Sequence, residues 1–132
     1  MSARRRRPEP PADEPLRLRR GDVLWINCDP SVGVEPRKTR TCVVVSNDVA
    51  NQFAAAVTVV PTQSFTVERA ARAYMVDLRK PRSTLGEPRV ANASMIMTYD
   101  RARVVSKAGR LHGDALRALD GALSLQLGLT PP

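Results

Sequence analysis

The stretch RRGDVLWINCDPSVGVEPRKTRTCVVVSND, residues 19–48, decides how the chain reads. DVLWINCD (22–29) alternates weakly between apolar and polar residues and is bounded by Gly21 and Pro30, which predicts a strand. PSVGVEPRKTR (30–40) holds Pro30, Gly33 and Pro36 and ends in cations, so it reads as a loop. TCVVVSND (41–48) is β-branched and almost continuously apolar, the pattern of a strand buried on both faces. One carboxylate, Glu35, and three cations, Arg37, Lys38 and Arg40, therefore sit on or beside a loop anchored by two strands. That arrangement suits a phosphodiester. An arginine fork binds phosphate bidentately and offsets the charge that builds in the transition state.

Outward from this region the same style continues. VANQF predicts a turn or short helical segment, and AAVTVVPTQS (55–64) a third strand, with Pro61 marking its edge or end because proline donates no ladder hydrogen bond. AYMVDLR (73–79) predicts a fourth strand and KPRSTLGEPR (80–89) a loop. ASMIMT (93–98) and RARVVS (101–106) predict two more strands. Then the period changes. Leu116, Leu119, Leu123 and Leu127, with Ala115 and Ala122, fall at helical spacing, Asp114 stands as N-cap and Gly128 as the stop. The reading is mainly β with a C-terminal helix, a small curled sheet or barrel with the helix as its plug.

Composition bounds the function. A length of 132 residues fits one domain, and 42% hydrophobic residues suffice for one modest core. The formal charge is +8, which favours an anionic partner, either nucleic acid or an acidic protein. Half of that surplus lies in residues 1–20, where Arg4 to Arg7, Arg17, Arg19 and Arg20 stand among four prolines. Residues 1–19 read as a disordered basic leader and 20–132 as a single domain. The leader lacks the apolar core of a secretory signal, and no run is long enough to span a membrane, so a cytoplasmic protein is expected. Cys28 and Cys42 form no metal motif and read as buried thiols. With His112 the only imidazole, a two-histidine ribonuclease is excluded, as is a zinc site of Cys and His. No phosphate-binding glycine loop, nucleophile elbow or carboxylate cluster is present, so neither metal nor other cofactor is expected.

The segment from Arg20 to Asp48 resembles the MazF/PemK family of toxin ribonucleases of type II toxin–antitoxin systems. The resemblance rests on Arg20-Gly21-Asp22, Asp29-Pro30, Gly33, Glu35, Arg40-Thr41 and Val43-Val44-Val45-Ser46-Asn47-Asp48, and continues to the closing helix, spanning residues 20–129. It implies a small SH3-like barrel, usually a homodimer, that binds an acidic antitoxin. It also implies metal-independent cleavage of single-stranded RNA, with the 2′-hydroxyl attacking its own phosphate to leave a 2′,3′-cyclic phosphate and a 5′-hydroxyl. Carried over by residue, Arg40 matches the arginine that stabilises the phosphorane, and Glu35 the acidic residue that orients that arginine or the RNA. The second catalytic residue of the family is a threonine shortly after the third strand's proline.

The chain departs from the pattern in three places. Pro61-Thr62-Gln63-Ser64 replaces Pro-x-Thr-Ser, so Gln63 aligns with the expected hydroxyl, and Thr62, or alternatively Ser64, takes its role only if the chain shifts by one residue. Thr41 replaces a proline, and Tyr99-Asp100-Arg101-Ala102-Arg103 replaces Asp-Gln-Ile-Arg. Arg101 and Arg103, two apart on a strand, would share a face and could join Arg37 and Lys38 in binding RNA. Trp25 and Tyr99 could stack bases, though Trp25 in a first strand reads more simply as core. Two rival readings follow. One is a catalytically degenerate member that binds nucleic acid or antitoxin. The other is a gyrase poison of the same fold, which the missing Trp near the C-terminus disfavours.

Overall fold

The computed structural model describes residues 16–28 and 38–130. Its centre is three antiparallel strands, β1 (Asp22–Asn27), β2 (Thr39–Val44) and β3 (Ala56–Ser64). β-Branched residues dominate β2 and β3, and their two faces feed two apolar clusters. On one face Val23, Val43 and Val60 pack with Leu78 and with Ala115, Leu119 and Leu123 of the C-terminal helix. On the other Leu24, Ile26, Cys42, Val44, Val57 and Val59 close over Leu18. The expectation of a strand buried on both faces thus holds for Thr41 to Val45.

Around this centre lie β4 (Met75–Asp77), β5 (Arg89–Asn92), β6 (Met97–Asp100) and β7 (Val104–Arg110), in the order β4-β5-β3-β2-β1-β7, with β6 on the flank of β3. The sheet does not close, so it is a barrel only loosely. Its two edges are brought together by the segment before β5, where the Thr84 amide donates to the Arg110 carbonyl at 3.0 Å and Ser83 bridges Leu111. Helix α1 (Asp48–Phe53) begins on an Asn47 cap that accepts from the Ala50 amide, α2 (Val67–Ala70) is one turn, and α3 (Gly113–Gln126) packs on β4.

Several expectations shift. Pro61 neither ends β3 nor marks an edge. β3 pairs with β6 through Ala56–Val59 and with β5 through Thr62–Ser64, so the proline falls where that flank has no ladder to donate to. The predicted strands at 93–98 and 101–106 each begin as a 3₁₀ turn, because the Asn92 and Asp100 side chains accept from amides two residues on. β5 begins inside the expected loop. Asp114 accepts from the Ala115 amide within the first turn, and His112 holds the cap position of α3. Gly128 does end that helix, at φ +73. The leader boundary also moves. Leu18 is buried and Leu16 packs beside it, so the fold begins before residue 20; residues 1–15 lie outside those described.

Candidate functional site

At the end of the β1–β2 pair a cleft of about 350 Å³ opens, lined by Trp25, Arg40, Thr41, Glu87 and Arg89 among others. Register explains who faces it. Trp25 stands opposite Thr41, and one step beyond the Cys42–Pro61 pair Thr41 meets Thr62. Their hydroxyls lie 2.5 Å apart. From β5, Arg89 donates Nε–H to the Thr62 hydroxyl at 2.9 Å, one terminal nitrogen to the Thr62 carbonyl at 3.0 Å, and the other to the Ser64 hydroxyl at 3.4 Å. Arg40 pairs with Ile26, on the other face of the strand from Thr41, yet is exposed at the strand's start and borders the same cleft.

Two arginines, Arg40 and Arg89, line this corner against one carboxylate residue, Glu87. Burial lowers the Arg89 pKa most, Glu87 opposes that, and the positive charges of Arg40 and Arg69 lower it further. Among the described residues no carboxylate stands within ion-pair distance of Arg40 or Arg89. The corner can therefore hold an anion, with a half-exposed indole beside it on which a base could stack.

The sequence-predicted residues fall out unevenly. Arg40, Thr62 and Ser64 meet around Arg89 and the cleft, whereas Gln63 turns to the opposite face, where its side-chain oxygen accepts from Asn92 at 3.1 Å. Glu35 and Arg37 lie outside the described residues. Lys38 is exposed, and its carbonyl accepts from the Cys28 amide at 3.0 Å. Arg101 and Arg103 share a 3₁₀ turn, not a strand face. Arg101 donates to the carbonyls of Asn51 and Leu16, tying the start of the fold to α1, and Arg103 donates to the Asn27 carbonyl at 3.2 Å. Trp25, read as core, is exposed and lines the cleft. Tyr99 is half-buried, its hydroxyl on the Met97 sulfur, and burial raises its pKa.

Cys42 is buried as expected, its thiol pushed up to about 12 chiefly by burial, while Cys28 is half-buried; both are free thiols. Arg89, Thr41 and Glu87 were missed. Arg89 had one signal, a cation directly after Pro88, where a strand can start.

Comparison with known proteins adds to this geometry. The family model described as PemK-like, MazF-like toxin of type II toxin–antitoxin system matches residues 19–127. A protein of Mycobacterium tuberculosis (strain ATCC 25618 / H37Rv) named endoribonuclease MazF9 is 34% identical over 119 residues, covering 85% of this chain and 98% of that protein. Among solved structures, a MazE–MazF crystal from Deinococcus radiodurans superposes with TM-score 0.73 at 23% identity, over 87% of this chain and 99% of that one. An endoribonuclease in complex with its cognate antitoxin, from a mycobacterial species, gives TM-score 0.70 at 21% identity, over 87% and 99%.

Proposed function

We propose, on the premise that this chain belongs to the PemK-like, MazF-like toxin family of type II toxin–antitoxin systems, that it is an endoribonuclease cutting single-stranded RNA at the cleft beside Arg40. The supporting observation is the convergence of Arg40, Arg89 and the hydroxyls of Thr41 and Thr62 at one anion-suited corner. The bond made is from the 2′-oxygen to phosphorus and the bond broken is from phosphorus to the 5′-oxygen. The 2′-hydroxyl loses its proton and the leaving oxygen gains one. In this scheme Arg40 stabilises the phosphorane and assists proton transfer, Thr62 serves as the second residue of the site, and Glu35 orients Arg40 or the RNA. Lys38 and Arg37 add attraction for the backbone.

The partners follow from the same reading: single-stranded RNA, an acidic antitoxin over the same cationic surface, and a second copy of the chain, all in the cytoplasm. No helix among the described residues is long and apolar enough to cross a membrane.

The test is digestion of mixed RNA in EDTA. Fragments with 5′-hydroxyl ends are expected; dependence on magnesium or 5′-phosphate ends would overturn the mechanism. One observation favours a second reading, a member that binds without cutting: Thr62 is only 1% exposed. Tight RNA binding with no fragments in the same experiment would establish that reading instead.

A further inference from the structure

Thr62 is nearly sealed, yet Arg89, which covers it, is only partly buried and lines the cleft. A hydroxyl in that position has poor access to a substrate oxygen, whereas the guanidinium resting on it has good access. We infer that Arg89 is the group on this side of the cleft that touches the scissile phosphate, that Arg40 and Arg89 close on one phosphodiester as a pair, and that Thr62 is the positioning residue that holds Arg89. The inference rests on the function proposed above and reassigns the work within its site.

The hydrogen bonds carry the argument. A guanidinium has five N–H groups in a fixed plane. Thr62 receives two of them, on its hydroxyl at 2.9 Å and its own carbonyl at 3.0 Å, which sets that plane. The long contact to Ser64 takes a third, leaving one N–H on each terminal nitrogen for a ligand. The anchors are neutral, so they orient the cation without cancelling its charge. Thr41 completes the support. Its hydroxyl, 2.5 Å from that of Thr62, stands where the resembling family has proline, a residue with no hydroxyl to offer. Two arginines on one cleft repel one another, since among the described residues no carboxylate is in ion-pair reach of either and Glu87 offsets Arg89 only from a distance; an anion between them relieves that repulsion.

The experiment measures two things on each variant. One is the cleavage rate on an RNA containing a sequence the protein cuts. The other is the salt dependence of binding to a mixed-sequence single-stranded DNA, which has phosphates but no 2′-hydroxyl. Arg89→Gln should lower kcat on the order of 10²–10³-fold. It should also flatten the slope of log K against log salt by about 0.7, one phosphate contact on a single strand. Arg89→Lys should keep most of the slope and lose most of the rate, because an ammonium cannot span both acceptors of Thr62. Thr62→Val should cost roughly tenfold, well under the arginine's scale, leave the slope unchanged, and add nothing to Arg89→Gln in the double variant.

Thermal unfolding checks that each variant folds. If Arg89→Gln does not, Arg89→Lys and Thr62→Val carry the same comparison. A Thr62→Val loss equal to or larger than that of Arg89→Gln, with the salt slope untouched in Arg89→Gln, overturns the assignment and makes Arg89 a mere prop. If the wild-type protein cuts no RNA, the proposed function fails. The DNA slope then still decides the pairing of Arg40 and Arg89, and no change of slope in Arg89→Gln rejects it.

Discussion

Strand β1 passes two groups of cations that differ in how their charge is met. At its start, Asp22 is buried and accepts from the Arg19 amide at 2.8 Å, from Arg110 at 2.7 Å and from Lys107 at 3.1 Å. Beside it Arg20 pairs with Asp120 of α3 at 2.6 Å and donates Nε–H to the Val45 carbonyl. Each of these cations has a carboxylate, and together they join the first strand, the last strand and the closing helix. At the cleft, Arg89 is held by hydroxyls and a carbonyl instead, and Arg40 and Glu87 line the same cleft without an ion pair to it. Cations matched by carboxylates spend their charge inside the fold. Cations oriented by neutral acceptors keep it for a ligand.

Arg40→Ala is the largest expected break of this contrast. The rate should fall on the order of 10²–10³, about 2.7–4 kcal/mol on the barrier, the scale for removing one oxyanion-stabilising group. The residue is exposed, so the unfolding free energy from urea titration should stay within about 0.5 kcal/mol of wild type. A large stability loss would place Arg40 with the structural cations and dissolve the distinction.

Asp22→Asn should do the opposite. Its carboxylate is 6% exposed, while Arg110 and Lys107 are 42% and 38% exposed and can rehydrate when it is neutralised. The loss should therefore fall below the 3–5 kcal/mol of a fully buried pair, at about 2 kcal/mol in urea unfolding. Cleavage per folded molecule should not change. A selective loss of rate at full stability would show that the start of β1 also serves the cleft.

Much of the contrast was legible in the sequence, and the remainder was not, for a physical reason. Period and β-branching showed β1, β2, β3 and α3, since each buries a face large enough to leave its period in the chain. Arg40 was legible because a motif surrounds it. β5 was hidden: four residues at the end of a Pro- and Gly-containing loop have no period to read, and their role is set by pairing with β3 and β4. Arg89 was hidden with them. Which of Thr62 and Gln63 turns toward Arg89 could not be read along the chain, because a one-residue shift reverses the face and only the Cys42–Pro61 register fixes it. Trp25 went the other way: its strand is core, but its side chain is exposed and lines the cleft.

The smallest test asks whether a paired carboxylate matters when it is exposed. Asp48 opens α1 and accepts from the Arg20 amide at 2.7 Å and from the Asn51 side chain at 3.1 Å. These two bonds, the first the larger, hold its pKa below the ordinary 3.8, with a small further pull from Arg19 and Arg110. A depressed carboxylate contributes stability that is complete above its unfolded value and is lost as pH falls through the lower folded one. Asp48→Asn keeps an acceptor for the Arg20 amide and removes only the charge. Water screens that charge, so the cost at pH 7 should be a few tenths of a kcal/mol. It should shrink toward zero once the pH falls below the depressed folded value, where the wild-type group also takes up its proton. Urea titrations at pH 7 and at the acid limit measure the difference directly. A cost near that of Asp22→Asn, or one that persists in acid, would mean that exposure does not separate these two carboxylates and that Asp48 belongs to the clasp at the start of β1.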